Sequence, residues 1–186
     1  MDGLAYRLNV LALFGASFVL LFAFAWQFAF NELPCPLCYL QRAGFAACGI
    51  GFLLNVRFGI APAHYGMAIL SAIGGGFASV RQVFGHIAPG TGSYGSPFLG
   101  FHFYTWALIG FVAVIAFCAA MLFVVGSRDR IDPEREPATS FAKLSMLAFV
   151  FMIAADVVVG LAECGVGPCP DNPTGYWLFG TGKMKD

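Results

Sequence analysis

The stretch Leu8–Asn31, LNVLALFGASFVLLFAFAWQFAFN, contains no charged side chain and is bracketed by Arg7 and Glu32. A helix needs about 20 consecutive apolar residues to cross a hydrocarbon core, and this stretch is long enough. The apolar region of a cleaved secretory signal is shorter, about 7–15 residues, so the segment reads as a retained span. The remainder of the chain has the same character. Of its 186 residues 59% are hydrophobic and 11% charged, against about 25% charged in a soluble domain. Lipid has to cover such a surface. The length allows one domain of four to six spans, and a formal net charge of zero argues against nucleic acid as a partner.

Working outward from the first span, the sequence predicts further spanning helices over 37–56, 64–80, 103–125 and 144–162. Arg57 and Pro62 end the second, Arg81 closes the third, and the third carries Gly74, Gly75 and Gly76, small residues that permit close helix approach in a bilayer. Residues 82–102 are rich in Gly, Pro and Ser and read as an exposed loop. Tyr104 and Trp106 then begin the fourth span where aromatic side chains favour the interface. The tail, 163–186, is rich in Gly and Pro and reads as non-helical. The expected fold is therefore all-α, an integral membrane helix bundle.

Five spans put the turn at Cys35–Cys38, the Gly/Pro loop and the tail on one side by parity. The other side carries Arg7, Arg57, Arg128, Arg130, Arg135 and Lys143, against Arg42, Arg81, Lys183 and Lys185 with the cysteines. The excess of cations marks the cytoplasmic face. The cysteine side and C-terminus are then expected outside, with the N-terminus in the cytoplasm.

Cys35-Pro36-Leu37-Cys38 stands directly before a helix, so Cys38 is expected near unpaired N–H groups that favour an anion. A thiolate is the nucleophile of disulfide exchange. Arg42 follows Cys38 by one helical turn, on the same face, and adds a permanent positive charge. An arginine in a membrane helix costs up to about 2.5–3.5 kcal/mol at the centre and less near the interface, which argues for a task. A static disulfide and a zinc site are the rivals. A zinc site with four cysteine ligands would add Cys164 and Cys169 from the tail, but neither rival explains Arg42. Cys164-Gly-Val-Gly-Pro-Cys169 follows the fifth span and reads either as a mobile shuttle pair or as a brace for the tail. Cys48 and Cys118 fall inside helices and read as packing residues. His86 is a candidate proton carrier in the outer loop. His102 begins the fourth helix with an interfacial role, and Asp156 is an intramembrane carboxylate with either a functional role or an interhelical hydrogen bond.

With CPLCYLQR at 35–42 after a first span, and Arg81-Gln82-Val83 at the end of the third, the chain resembles the bacterial disulfide-bond formation protein B family, DsbB, over its first four helices. The resemblance implies a four-helix core, here with a fifth transmembrane helix, in the bacterial inner membrane. It implies a thiol-disulfide oxidoreductase that reoxidises a periplasmic DsbA-like thioredoxin-fold protein and passes two electrons to a membrane quinone, ubiquinone or menaquinone. Carried over by residue, Cys35 exchanges with the second cysteine pair, Cys38 faces the quinone as a thiolate, Arg42 holds both, and His86 matches loosely as a quinone contact. Family members place the second pair between the third and fourth helices, where this chain has no cysteine. The expectation is that Cys164 and Cys169 have taken over that role. A non-catalytic zinc-binding membrane scaffold is the alternative. A conduit sending electrons outward ranks last, because it needs cysteines on the inner side as well.

Overall fold

The computed structural model describes residues 2–88, 90–126, 139–167 and 169–180. Among them are five α-helices, α1 Asp2–Phe30, α2 Pro36–Phe58, α3 Pro62–His86, α4 Phe103–Val125 and α5 Ser140–Cys164, and a short 3-10 turn at Trp177–Phe179. All five helices are long and apolar enough to cross a membrane, so the chain is an all-α, multi-pass membrane protein. Arg128, Arg130, Arg135, Lys183 and Lys185, used above to orient the chain, lie outside the described residues.

The helix ends follow from local chemistry, and several differ from the sequence expectation. Pro36 and Pro62 start α2 and α3 at positions where the missing N–H costs nothing. Thr139 caps α5 by accepting from the Ala142 N–H at 3.2 Å. Helix α3 continues past Arg81 to His86, so Gln82 is helical rather than in the loop. Lys143 likewise lies within α5, which starts at Ser140. A charge interrupts an apolar window without breaking a helix; breaking one takes a proline or a glycine. The tail is non-helical except for its single 3-10 turn.

Helix α2 lies between α1 and α3, α4 packs on α3, and α5 lies against α1 and α2. Lipid offers no hydrophobic drive between helices, so close packing and polar ties must hold the bundle. Of the three consecutive glycines only Gly75 serves this purpose: a Cβ there would overlap the Phe111 ring, whereas Gly74 has nothing within 4 Å. The Phe111 ring in turn stacks on Phe45 at 4.1 Å. Gly49 admits the Phe149 ring of α5 in the same way.

One end of the bundle is tied by a buried polar knot. Asn9 Nδ2 donates to Tyr65 Oη at 2.6 Å, and Asn55 Nδ2 donates to Asn9 Oδ1 at 2.8 Å. Asn55 Oδ1 accepts from the Ala61 N–H at 3.1 Å and lies 2.8 Å from His64 Nδ1. The opposite end gathers the α1–α2 turn, the loop between α3 and α4, and the tail. Tyr94 donates to Leu33 O at 2.6 Å, and Gln27 Nε2 donates to Tyr176 Oη at 3.2 Å. The cysteine pairs belong to this end.

Candidate active site

Cys35 is the N-cap of α2, with extended backbone at φ −72° and ψ 165°. Its Sγ accepts from the Cys38 N–H at 3.2 Å, a sulfur in the place of the usual oxygen cap. The helix-terminus N–H expected to favour a Cys38 thiolate therefore serves Cys35. Gln82, on the last turns of α3, donates Nε2 to Cys35 Sγ at 3.3 Å and stands 3.8 Å from Cys38 Sγ. Its Oε1 accepts from Gln41 Nε2 at 2.9 Å, which fixes the amide's orientation. The Cys35 thiol is lowered to about 7, first by the hydrogen bond from the Cys38 side chain and further by the Cys38 N–H and by Gln82, while burial opposes the shift. A thiol with that value is substantially ionised at neutral pH.

Beside the pair lies a cavity of about 400 Å³ with mostly apolar walls rich in aromatic rings, among them Phe22, Trp26, Phe98, Phe103 and Trp106. The rings brace one another: Trp26 and Phe103 lie 4.9 Å apart, and Phe22 and Phe98 5.2 Å apart. Cys38, Arg42, Gln27, Gln41, Gln82 and Glu32 are on the polar part of the wall, and Cys35 does not line it. The loop between α3 and α4 closes the outer side. Glu32 accepts from the Ser96 N–H and hydroxyl and from Trp26 Nε1 at 3.2 Å, and this holds Tyr94, Gly95 and Phe98 against the cavity. Burial raises the Tyr94 phenol, which keeps it a hydrogen-bond donor to Leu33.

Arg42 extends from α2 across to α1 and α5. Nη1 donates to Gln27 Oε1 at 2.9 Å and Nη2 to Ala23 O at 3.2 Å, and Asp156 Oδ1 is 3.6 Å from Nη1. The guanidinium also lies over the rings of Phe24 and Tyr39, 5.0 and 5.7 Å from their centroids. The one-turn spacing from Cys38 brings both residues to the cavity wall, while the hydrogen bonds of Arg42 are made to α1. His86 does not line the cavity. It stacks on Tyr104, which does, at 5.6 Å, and its Nδ1 lies 3.2 Å from Gly92 O. His102 caps nothing with its side chain and also stacks on Tyr104, at 5.3 Å.

Cys164 and Cys169 are joined by a disulfide, Cα to Cα 4.7 Å. Glu163, next to Cys164, accepts from Tyr39 Oη at 2.8 Å, and Tyr39 is next to Cys38. The tail pair thus leaves α5 beside the turn that carries the first pair. Among the described residues no group of three or more His, Cys, Asp or Glu is arranged to hold a metal ion, so a four-cysteine zinc set finds no geometric support. Cys48 and Cys118 lie in the core, Cys48 Sγ donating to Ala68 O at 3.4 Å.

Residues 6–93 match the family described as Disulfide bond formation protein DsbB. Over those residues, a little under half of the chain, it is similar to the DsbB family. No curated protein and no solved structure matches it. The DsbB match carries α1, α2, α3, Cys35, Cys38, Arg42, Gln82 and His86, and ends inside the following loop. Helix α4 therefore lies outside it, although the resemblance in sequence extended that far. The family is one of membrane disulfide-bond formation. Sequence reasoning did not assign Gln27, Gln41, Glu32, Tyr39 or Glu163, or any bond to Gln82. Their signal was available: amides and carboxyls in otherwise apolar helices demand partners.

Proposed function

We propose that the protein is a quinone-dependent thiol-disulfide oxidoreductase of the bacterial inner membrane, which reoxidises a periplasmic thioredoxin-fold dithiol protein. The observation that carries this reading is the aromatic cavity with Cys38 and Arg42 on its wall and the sulfur of Cys35 just behind. Its volume of about 400 Å³ lies within the range of small-molecule sites, about 300–1,000 Å³. Flat rings suit a conjugated ring, and the hydrogen bonds of Arg42 to Gln27 and Ala23 engage two of its five N–H donors, which leaves others for a carbonyl oxygen. A quinone bound there supplies an acceptor for two electrons and two protons.

The chain's own residues account for the thiol steps. The partner's dithiol reduces Cys164–Cys169 and leaves with a disulfide. A thiolate of the reduced tail pair attacks the Cys35 sulfur of a Cys35–Cys38 disulfide and expels Cys38. The second tail thiolate then attacks the mixed disulfide at its tail sulfur, re-forms Cys164–Cys169 and expels Cys35. A low thiol pKa speeds departure of a leaving sulfur, and Cys35, lowered to about 7, fits that role. Cys38 is left on the cavity wall, Gln82 holds both sulfurs, and Arg42 compensates negative charge. The Tyr39–Glu163 bond ties the residue after Cys38 to the residue before Cys164. The outward orientation of this end is supported by the cation bias of the loops.

The test uses the purified full-length protein in detergent with a reduced thioredoxin-fold donor and a quinone, followed by quinone absorbance. The wild type is expected to reduce quinone, and Cys38→Ser to abolish the reaction. A wild type that transfers no electrons to quinone, or a Cys38→Ser protein that still does, overturns the reading.

A further inference from the structure

Arg42 carries a permanent charge into the bundle, and its side chain and that of Asp156 are 10% and 13% exposed. A charge so placed is costly without a counter-charge, and removing one member of such a pair strands the other. Among the described residues this is the one ion pair within 4 Å. Gln27 and Ala23 give the guanidinium dipoles, and Asp156 is the carboxylate within 4 Å of it, with Glu163 acting on it electrostatically from farther off. The dependence is mutual, since Asp156 Oδ1 is buried and takes no hydrogen bond.

The pair belongs to a register. Asp156, Gly160 and Glu163 are spaced four and three residues apart, so they share one face of α5. Each meets the same part of α2: Asp156 meets Arg42, Glu163 accepts from Tyr39, and Gly160 leaves room for the Tyr39 ring, 3.4 Å from where its Cβ would lie. The helices run in opposite directions, and the outer contact is Tyr39–Glu163 while the inner is Arg42–Asp156. Helix α5 is also the least buried of the five, so these polar ties weigh heavily in seating it.

We propose that Asp156 is the positioning residue of Arg42, holding the guanidinium on the cavity wall and making α5 part of the quinone site. The proposal rests on the quinone-dependent reading above. Without the carboxylate, a guanidinium on a long flexible stem moves to the nearby mouth, where water and headgroups solvate it. The α5 that delivers the second cysteine pair then also completes the site that the first pair serves.

The experiment uses full-length protein in detergent and a short-chain ubiquinone analogue. It reads KM and kcat with the dithiol donor, and analogue binding by quenching of indole fluorescence, since Trp26 and Trp106 line the cavity. Asp156→Asn is expected to raise KM and the binding constant about tenfold or more with kcat changed less than about twofold. Asp156→Glu is expected to restore both. In an Arg42→Gln background, Asp156→Asn is expected to add less than about a twofold change in binding, the signature of one acting through the other. Binding by Asp156→Asn within about twofold of wild type, or an undiminished effect in the Arg42→Gln background, overturns the proposal. If Asp156→Asn fails to accumulate, the neutral Arg42→Gln/Asp156→Asn protein decides: recovery of a folded protein supports the pairing, and its failure overturns it. Absence of quinone reduction by wild type defeats the functional reading instead, and the fluorescence comparison still judges the pairing.

Discussion

Replacing Gln82 by methionine keeps the side-chain length and removes the N–H that reaches Cys35 Sγ at 3.3 Å. A hydrogen bond to a charged group contributes about 1.5–3 kcal/mol, and the long contact to sulfur belongs at or below the bottom of that range. Since one pKa unit corresponds to about 1.4 kcal/mol, Cys35 should move up from about 7 by about one unit. The sign follows from which form carries the charge: the N–H stabilises thiolate, so its loss favours the thiol. A higher pKa leaves less thiolate but makes each thiolate more nucleophilic, with a Brønsted slope of about 0.4–0.5. Combining the two, nucleophilic exchange by Cys35 in the variant should run at about a third of the wild-type rate at pH 6, about half at pH 7, and about one and a half times it at pH 8. The curves should cross near pH 7.5, by the same estimate of about one unit. The assay is the rate of exchange of reduced Cys35 with a small disulfide as a function of pH, in a protein lacking Cys48 and Cys118, with the ionisation midpoint read independently from ultraviolet thiolate absorbance. A midpoint that coincides with the parent protein's, or a ratio of rates constant across pH, refutes the assignment of Gln82 as a thiolate donor.

Glu32→Ala removes the acceptor for Ser96 and Trp26, so backbone amides of the loop between α3 and α4 should exchange with deuterium about tenfold faster or more, for a loss of about 1.5–3 kcal/mol; unchanged exchange there would show that Glu32 does not latch the loop. Gly75→Ala drives a methyl into the Phe111 ring and should cost about 1–3 kcal/mol in detergent unfolding. Gly74→Ala meets nothing within 4 Å and should be neutral, or gain up to about 1 kcal/mol from helix propensity. Converting both Cys164 and Cys169 to serine should abolish turnover with the protein dithiol while leaving analogue binding in the cavity intact; retained turnover would make the tail disulfide a brace.

The membrane fold was legible because a low charge fraction and five apolar stretches leave few alternatives. The helix ends were less so. Arg81 and Lys143 looked like boundaries, yet a helix tolerates charge near an interface, and α3 ran on to carry Gln82 toward the sulfurs. Cys35, Cys38 and Arg42 were visible from spacing alone. Which thiol the helix terminus serves was not, because an N-cap side chain and an N3 backbone N–H differ only in a dihedral choice at Cys35. The contacts of Glu163, Tyr39 and Asp156 join helices more than a hundred residues apart. No local pattern encodes such a pairing; it is visible only as polar side chains without a stated partner. His86 illustrates the converse, a residue expected from sequence to contact the quinone whose ring stacks on Tyr104 and does not line the cavity.

The two ends of the bundle divide their polar groups differently, and the division fits their tasks. At the Asn9–Asn55 end each amide both donates and accepts within the protein, tying α1, α2 and the start of α3 together. Such a fully bonded network rigidifies the helices it joins. At the cysteine end the accounts stay open: among the described residues, the buried side-chain atoms without a hydrogen-bond partner are His102 Nδ1, Asp156 Oδ1 and Glu163 Oε1. His102 begins α4 beside the cavity, and the two carboxyls face α2 near Cys38. Unfilled bonding capacity in a buried place is destabilising, and it is tolerated where a proton or ligand passes in the working cycle. In the proposed function, sulfur exchange at Cys35 and Cys38 would change the charge and the covalent connection of this end in every turnover. A rigid base at the far end would let those changes occur without repacking the helices, with the loop held by Glu32 and the tail beyond α5 as the parts least tied to that base.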